Sequence, residues 1–220
     1  MVFGKNNVLA IGAHPDDVEF GCFGTLKNHL DLGDSVTICL MSNSTVKDAT
    51  TGKFTRKEEE SIEEAQQAAN VIGANLIRLN FKDTEIPFNS DSVSQLEKII
   101  NDNNINIIYT HWGGDTHQDH INTLNTTLAS SRMIDNVFCY EQVPLPRVCT
   151  TYPVANYYVD ITSTLKYKLK ACESHKSQLN KYTNMGIDIL DNVRTLAKFR
   201  GNQSQTQYAE AFNILKMVKR

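Results

Sequence analysis

Three ionisable side chains stand close together near the start of the chain, directly after an apolar run. Residues 8–12 are aliphatic and end in glycine, which is typical of a buried strand that leads into a loop. That loop carries His14, Asp16 and Asp17, whose side-chain types bind Zn²⁺ in proteins. Adjacent aspartates point in different directions, so one can bind a metal while the other faces a water molecule. The alternative is that Asp16 or Asp17 caps a helix that begins at Val18.

A second group of such side chains follows another strand-like run, residues 105–112. It contains His117, Asp119 and His120. The two histidines are three positions apart, so the first turn of a helix would place both imidazoles on one face. A His-x-x-His pair by itself is more typical of a solvated helix. Two strand-end loops that both carry metal-type ligands are hard to attribute to capping, and a doubly wound sheet can bring such loops together. We therefore predict one divalent-metal site made by both loops.

The elements that must position these loops alternate along the chain. Strands are predicted over residues 8–12, 35–41, 76–81, 105–112, 137–143 and 157–161. Helices are predicted over residues 20–32, 56–73, 91–103, 165–179 and 187–199, with one more around Leu124 and Leu128. Residues 208–217 fit either a strand or a helix. This alternation predicts a three-layer α/β/α sandwich with a Rossmann-like, mostly parallel sheet, in one domain covering residues 1–220.

One polar connection differs from the short turns elsewhere. Residues 42–54 contain Gly52 and several Ser and Thr residues, and have little apolar surface to bury. We predict a mobile loop at the edge of the sheet that carries the site, which becomes ordered when substrate binds.

Composition excludes several classes of protein. The chain has 220 residues and a formal net charge of -3, which argues against a nucleic-acid partner or a polybasic membrane surface. No apolar run approaches the length of a membrane span. The five cysteines are scattered without a Cys-x-x-Cys pair, as expected for reduced thiols in the cytoplasm. We expect a cytoplasmic protein with a small-molecule ligand, and the sequence leaves a homo-oligomer open.

The two histidine-containing loops resemble the motifs of the PIG-L/LmbE-like zinc-dependent N-deacetylases. The opening motif is similar to residues 13–17 with Glu19, and the second motif to residues 117–120. Weaker similarities cover residues 56–59, 175–178 and 208–212. Phe23 and Gln118 depart from the family pattern, where glycine and proline are common, but neither position is a ligand.

The resemblance implies a role for each residue of the site. His14, Asp17 and His120 would bind Zn²⁺ or another divalent metal, and Asp16 would be the general base. His117 would be a catalytic imidazole beside the metal, with Asp119 fixing its tautomer and favouring its charged form. Either His117 or protonated Asp16 would deliver a proton to the leaving nitrogen. The resemblance also implies substrate contacts for Arg56 and Tyr208. Arg56 could equally pair with Glu59 or Glu60, and Tyr208 could equally pack in a core. For His175, packing or capping is an equal alternative to catalysis.

The resemblance further implies a function. The chain would remove the acetyl group from an N-acetylated amino sugar, within a glycoside, a nucleotide sugar or a lipid-linked conjugate. One alternative keeps the metal and acts on a non-sugar amide, such as a thiol conjugate. Another is a non-catalytic sugar- or nucleotide-binding module with a structural metal. Asp16 argues against this last alternative, because a structural site needs no second carboxylate beside its ligands.

Overall fold

The computed structural model describes residues 5–43, 46–47, 54–144 and 149–218. The strands in these ranges are β1 (Asn7–Gly12), β2 (Ser35–Ser42), β3 (Val46–Lys47), β4 (Phe54–Arg56), β5 (Asn75–Phe81), β6 (Ile107–Thr110), β7 (Asn136–Tyr140), β8 (Tyr157–Asp160) and β9 (Ala209–Met217). The helices are α1 (Asp17–Asp31), α2 (Glu58–Asn70), α3 (Ser90–Asp102), α4 (Gln118–Ser130), α5 (Leu165–Ser174), α6 (Lys176–Asn184) and α7 (Ile189–Ser204).

The main sheet has seven strands in the order β5-β2-β1-β6-β7-β9-β8. The pairs among β5, β2, β1, β6 and β7 are parallel, whereas β9 is antiparallel to both of its neighbours. The chain adds strands on one side of β1 up to β5 and then crosses to the other side at β6. The boundary between β1 and β6 is therefore the topological switch point, where α/β sheets bind ligands. The predicted fold class is confirmed.

Helices cover both faces of this sheet, because successive residues of β1 point to opposite sides. Val8 and Ala10 lie in a core cluster with apolar residues of α1 and α2. Leu9 and Ile11 lie in a second cluster with residues of α3. The first layer also contains α5, which contacts α1, α2 and α7, while α3 and α4 contact each other in the second layer.

Two predicted helices are interrupted. Within α1, Cys22 has a non-helical backbone with φ -138° and ψ 15°. The predicted helix over residues 165–179 is two helices, α5 and α6, which meet at His175. The undecided stretch at residues 208–217 contains the strand β9.

The remaining predictions concern a loop, a membrane span and the thiols. Of the predicted mobile loop at residues 42–54, residues 44–45 and 48–53 lie outside the described ranges, and the short strands β3 and β4 pair next to them. No described helix combines the length and apolar character needed to cross a bilayer. All five cysteines fall within the described ranges, and none forms a disulfide.

Candidate metal centre and active site

The two predicted clusters meet at the switch point. Because β1 and β6 are hydrogen-bonded neighbours, the loops that follow them lie side by side at the carboxyl edge of the sheet. A cavity of about 610 Å³ opens between them. Its lining includes the predicted residues His14, Asp16, Asp17, Arg56, His117 and His120. Residues of both predicted loops therefore line one cavity, and their roles there stay a prediction.

Asp17, the first residue of α1, lies at the centre of the site. Its Oδ1 accepts a hydrogen bond from Gln142 Nε2 at 2.7 Å and lies 3.5 Å from His120 Nε2. Its Oδ2 accepts from the His14 backbone N–H at 2.7 Å and lies 3.2 Å from His111 Nε2. Burial alone would raise the pKa of Asp17, but His120 and His111 together hold it well below the ordinary value. Asp17 is therefore an anion that attracts imidazoles or a cation.

His14 is held by carboxylates on both sides of its ring. Nδ1 lies 3.5 Å from Asp17 Oδ2, while Nε2 lies 2.9 Å from Asp119 Oδ2 and 3.0 Å from Asp83 Oδ1. Burial would lower the pKa of His14, but these three carboxylates raise it well above the ordinary value. A carboxylate behind an imidazole is the usual arrangement around a metal-binding histidine, since it fixes the ring and the tautomer.

His120 is fixed in the same way. Its Nδ1 lies 2.6 Å from Asp115 Oδ2, which turns Nε2 towards Asp17. Burial would lower the pKa of His120, but Asp17 and Asp115 raise it to about 9. The ring stacks between those of His111 and His117, at centroid distances of 4.2 and 4.6 Å. Asp115 thus orients His120 as Asp119 and Asp83 orient His14.

The contacts of Asp119 differ from the prediction. Its carboxylate accepts from the Thr84 backbone N–H at 2.7 Å and faces His14, whereas only its backbone N–H reaches His117, at 3.2 Å from Nδ1. The pKa of His117 is lowered by burial and by His14 and His120, which outweigh Asp119. The expectation that the Asp119 carboxylate fixes the tautomer of His117 and favours its charged form is therefore wrong in this structure. The backbone N–H takes over the tautomer-fixing role, because it makes Nδ1 a hydrogen-bond acceptor.

Two sets of donor atoms could hold a metal ion in the described part of the chain. One is His14, Asp17 and His120, and the other is His14, His117 and Asp119; within each set the ligand atoms lie within 4.8 Å of one another. A neutral imidazole offers one lone pair, so His14 cannot serve both sets at once. In the second set His117 is exposed, whereas Asp17 and His120 of the first set are both buried. The first set has two imidazole nitrogens, one carboxylate and an open side towards the cavity, which suits Zn²⁺ in a catalytic site.

Asp16 does not cap α1. Although it occupies the N-cap position, its side chain makes no capping hydrogen bond, and its backbone has φ 115°. This conformation is costly for a residue with a Cβ and is found at functional sites more often than elsewhere. Burial and the neighbouring charge of Asp17 raise the pKa of Asp16 to about 6, against the opposing effects of His175 and Arg56. The capping interpretation therefore does not account for Asp16.

Arg56 lies at the wall of the cavity and is 3% exposed. Its Nη2 pairs with Glu64 Oε2 at 3.1 Å, and not with Glu59 or Glu60. Glu64 also accepts hydrogen bonds from the backbone N–H and hydroxyl of Ser177, at 2.7 and 2.6 Å. Arg56 Nε has no hydrogen-bond partner among the described residues. The guanidinium is thus a fixed cation beside Asp16, with one N–H unpaired.

His175 is completely buried at the junction of α5 and α6, and its side chain caps neither helix. Its Nε2 lies 3.6 Å from Glu19 Oε2. Burial would lower the pKa of His175, but Glu19 and Asp16 raise it. His175 therefore supplies positive charge behind Asp16 without lining the cavity.

The prediction for Tyr208 is wrong. Tyr208 lies in a satellite core with Ile161, and Lys198 Nζ lies 5.5 Å from the centre of its ring. It does not line the cavity, because β9 is separated from the switch point by β7. The aromatic hydroxyl of the cavity belongs to Tyr182 of α6, whose ring meets Phe20 edge-on at 6.5 Å. Burial and the charges of Asp16 and Asp17 raise the pKa of Tyr182.

Sequence reasoning also missed the residues that support the ligands: Asp83, His111, Asp115 and Gln142. Two of them left a signal. His111 is a polar residue at the end of the predicted strand at residues 105–112, and Asp115 lies in the same loop as His117. Asp83 follows the predicted strand at residues 76–81, and Gln142 falls within the predicted strand at residues 137–143, so neither position indicated a role in the site.

A family model described as "PIG-L: GlcNAc-PI de-N-acetylase" matches residues 9–131 of the chain. This range contains both histidine-containing loops. Among curated proteins, the uncharacterized deacetylase YaiS of Escherichia coli is 30% identical over 176 residues, 74% of this chain and 91% of that protein. The diacetylchitobiose deacetylase of Thermococcus kodakarensis is 26% identical over 227 residues, 94% of this chain and 82% of that protein.

Solved structures share the same architecture. The N,N'-diacetylchitobiose deacetylase of Pyrococcus horikoshii in complex with an inhibitor has a TM-score of 0.76 at 24% identity, covering 96% of this chain and 84% of that one. GalB, a 4-carboxy-2-hydroxymuconate hydratase of Pseudomonas putida, has a TM-score of 0.81 at 18% identity, with 98% of both chains covered. At these identities the likeness shows the fold alone.

Proposed function

Since this chain belongs to the PIG-L family of de-N-acetylases, we propose that it is a metal-dependent hydrolase that removes the acetyl group from an N-acetylated amino sugar. The observation that carries the proposal is the position of Asp16. It lies in the cavity next to the ligand set of His14, Asp17 and His120, and it has no capping role. This is the arrangement that metal-assisted hydrolysis of an amide needs.

The chemistry of the donor set fits Zn²⁺. His14, Asp17 and His120 would hold the ion, with Asp83, Asp119 and Asp115 orienting the two imidazoles. When bound, the metal would act as a Lewis acid towards the amide carbonyl and would lower the pKa of water in the site. The same donors accept other divalent metals, so the proposal extends to them.

Asp16 has two tasks in the proposed reaction. Its carboxylate takes a proton from the water that attacks the acetamide carbonyl, and it returns this proton to the nitrogen as the C–N bond breaks. The products are acetic acid, which loses its proton to solvent and leaves as acetate, and the free amine. We assign the second proton transfer to Asp16 as well as the first, because the surroundings of His117 favour its neutral form. His117, which also lines the cavity, would instead contact the substrate as a neutral imidazole.

Arg56 is the proposed cation for the acyl oxygen. Glu64 and Ser177 hold the guanidinium in place, and its position beside Asp16 puts positive charge where negative charge develops on the oxygen. A cation that is already fixed needs no reorganisation during the reaction, which favours this role over a contact with distant parts of the substrate.

Two other functions remain candidates for the same site. A metal-dependent amidase acting on a non-sugar amide, such as a thiol conjugate, would use the same groups. GalB has the same fold and is named a hydratase, so the architecture alone does not select deacetylation. A non-catalytic sugar- or nucleotide-binding module would leave Asp16 without a task.

The test is mass spectrometry of products after metal loading, using a panel of N-acetylglucosamine, diacetylchitobiose, a nucleotide-linked sugar, a lipid-linked sugar and an acylated thiol conjugate. We expect loss of one acetyl group from at least one sugar, and no loss after chelation. Cleavage of the thiol conjugate alone would favour the amidase. Sugar binding without any cleavage would favour the binding module.

A further inference from the structure

A buried ion pair, Lys168 and Glu210, bonds to the backbone on both sides of the break in α1. Neither residue lines the 610 Å³ cavity or belongs to the candidate ligand set. The break at Cys22 divides α1 into residues 17–21, which begin with Asp17, and residues 23–31. A broken helix leaves carbonyl groups without partners on one side and N–H groups on the other. Each of these ends needs a partner in the interior.

Glu210 of β9 satisfies the N–H groups of the second segment. Its Oε1 accepts from the Gly24 backbone N–H at 3.0 Å, and its Oε2 accepts from the Thr25 backbone N–H at 2.7 Å. A carboxylate at the start of a helical segment is also favoured by the helix dipole. Glu210 therefore acts as a cap supplied by a distant strand.

Lys168 of α5 donates to a carbonyl group that the break leaves without a helical partner at the end of the first segment. Its Nζ donates to the Phe20 carbonyl oxygen at 2.7 Å and to Glu210 Oε1 at 2.6 Å. The two charged side chains are 3% and 4% exposed, so each depends on the other. The pair thus joins both ends of the break through one ionic contact.

Close packing surrounds the break. A Cβ at Gly21 would lie 2.4 Å from the ring of Tyr140, and one at Gly24 would lie 2.8 Å from Ile161. The segment of residues 17–21 is far shorter than the roughly 12–15 residues that an isolated helix needs for stability. The direction of this segment therefore depends on the contacts that hold its carboxyl end.

We propose that Lys168 and Glu210 are positioning residues for the metal site, because they orient the short segment that presents Asp17. The inference rests on the proposed metal-binding function. It adds a pair that is neither part of the cavity lining nor a candidate ligand, although Lys168 contacts the backbone of the lining residue Phe20.

The test compares two double variants. Lys168→Met/Glu210→Gln removes both charges while leaving one acceptor for the N–H groups of the break. The matched control is His29→Gln/Asp34→Asn, which removes another partly buried pair, whose histidine lies in the second segment of α1. We measure Zn²⁺ affinity by calorimetric titration, and amide exchange of the peptide covering residues 17–25 without metal.

We expect the first variant to keep a cooperative melting transition and to bind Zn²⁺ about 10–100-fold more weakly, the range found when residues behind metal ligands are replaced. Exchange should rise at Gly24 and Thr25. The control should keep the wild-type affinity for Zn²⁺. Affinity equal to wild type in a destabilised Lys168→Met/Glu210→Gln variant would overturn the inference and leave the pair a purely stabilising role.

A milder variant covers the case in which the double variant fails to fold. Glu210→Gln alone keeps Lys168 on the Phe20 carbonyl oxygen and should weaken Zn²⁺ binding several-fold. Wild-type affinity in this variant would also overturn the inference. Zn²⁺ titration of the wild-type protein, together with the deacetylation assay, distinguishes failure of the proposed function from failure of the inference about Lys168 and Glu210. A protein that binds Zn²⁺ but deacetylates nothing contradicts the proposed function and leaves the role of the pair open to the same measurements.

Discussion

The two ends of the central strands carry contrasting polar networks. At the amino end, the Asn6 backbone N–H donates to Asp34 Oδ1 at 2.8 Å, and His29 bridges Asp34 and the Tyr109 hydroxyl at 2.7 and 3.0 Å. Every one of these groups faces a complementary partner. At the carboxyl end, the adjacent carboxylates of Asp16 and Asp17 are buried beside a stack of three imidazoles, of which His111 and His120 are buried and His117 is exposed.

The contrast indicates that the network at the amino end stabilises the fold and that the network at the carboxyl end serves function. A network with complementary partners stabilises the fold. Like charges that are buried side by side destabilise it unless a cation or a proton compensates them. The carboxyl end therefore has the properties of a site that is arranged for a ligand, and substitutions at the two ends should have different consequences.

The largest expected effect is at Asp16. Asp16→Asn should keep Zn²⁺ and stability but lower kcat by about 10²–10⁴-fold, the contribution of a positioned proton-transfer group. Steady-state kinetics and metal analysis of the purified variant check this. Asp34→Asn, at the opposite end, is the control and should keep its kcat. Full activity in Asp16→Asn would remove the base from the proposed mechanism, with His117 the next group to test.

His120→Ala should abolish stoichiometric Zn²⁺ binding, because only two of the three ligands remain. The variant should still fold cooperatively, because the sheet core does not depend on the site. Metal analysis measures the Zn²⁺ content of the variant, and denaturant titration measures its unfolding transition. His29→Ala should retain Zn²⁺. Full Zn²⁺ occupancy in His120→Ala would instead point to the set containing His117 and Asp119.

At the amino end, Asp34→Asn should cost about 2 kcal/mol of stability at pH 7, as expected for hydrogen bonds to a buried charge. Burial would raise the pKa of Asp34, but hydrogen bonds from the Asn6 backbone N–H and His29 lower it below the ordinary value. A lowered carboxyl pKa stabilises the fold above the unfolded-state pKa of about 4, and this contribution is lost as the pH falls further.

The difference in the free energy of unfolding between wild type and Asp34→Asn should therefore become smaller below pH 4. Urea titrations at pH 7 and pH 3 measure it. A difference that is independent of pH would show that the charge of Asp34 contributes nothing.

Tyr208→Phe should have the smallest effect. Because the ring lies in a satellite core outside the cavity, kcat/KM should change by less than about twofold, within the ~0.5 kcal/mol typical of substitutions away from a site. Kinetics on the substrate found in the panel checks this. A loss of tenfold or more would restore Tyr208 to the substrate site and contradict its placement in the structure.

The sequence predicted those parts of the molecule that depend on local pattern. The strands on either side of the switch point and the helices between them follow from apolar periodicity, and both histidine-containing loops follow from their position after strands. The break at Cys22 was not predictable in this way. The backbone groups on either side of it are paired with Glu210 and Lys168, which lie far along the chain and have no local relation to Cys22.

The site shows the same division. Its ligands stand in two compact motifs, whereas one of the carboxylates behind them, Asp83, comes from a separate connection. Tyr208 was misplaced for a related reason. A residue next to a sheet can lie near the site or two strands away from it, and only the strand order decides which.

The cap that Glu210 forms on the second segment of α1 also affects when, during synthesis, the protein can first bind its metal. The Gly24 N–H and the Glu210 carboxylate that it meets are separated by 186 positions. On a ribosome, the opening motif emerges long before the strand that completes its geometry, so the first segment of α1 has no fixed direction while most of the chain is being made. Contacts of such long sequence separation form late and slowly in folding. The metal centre would therefore mature after synthesis of β9, and nascent chains that end before this strand should bind the metal poorly.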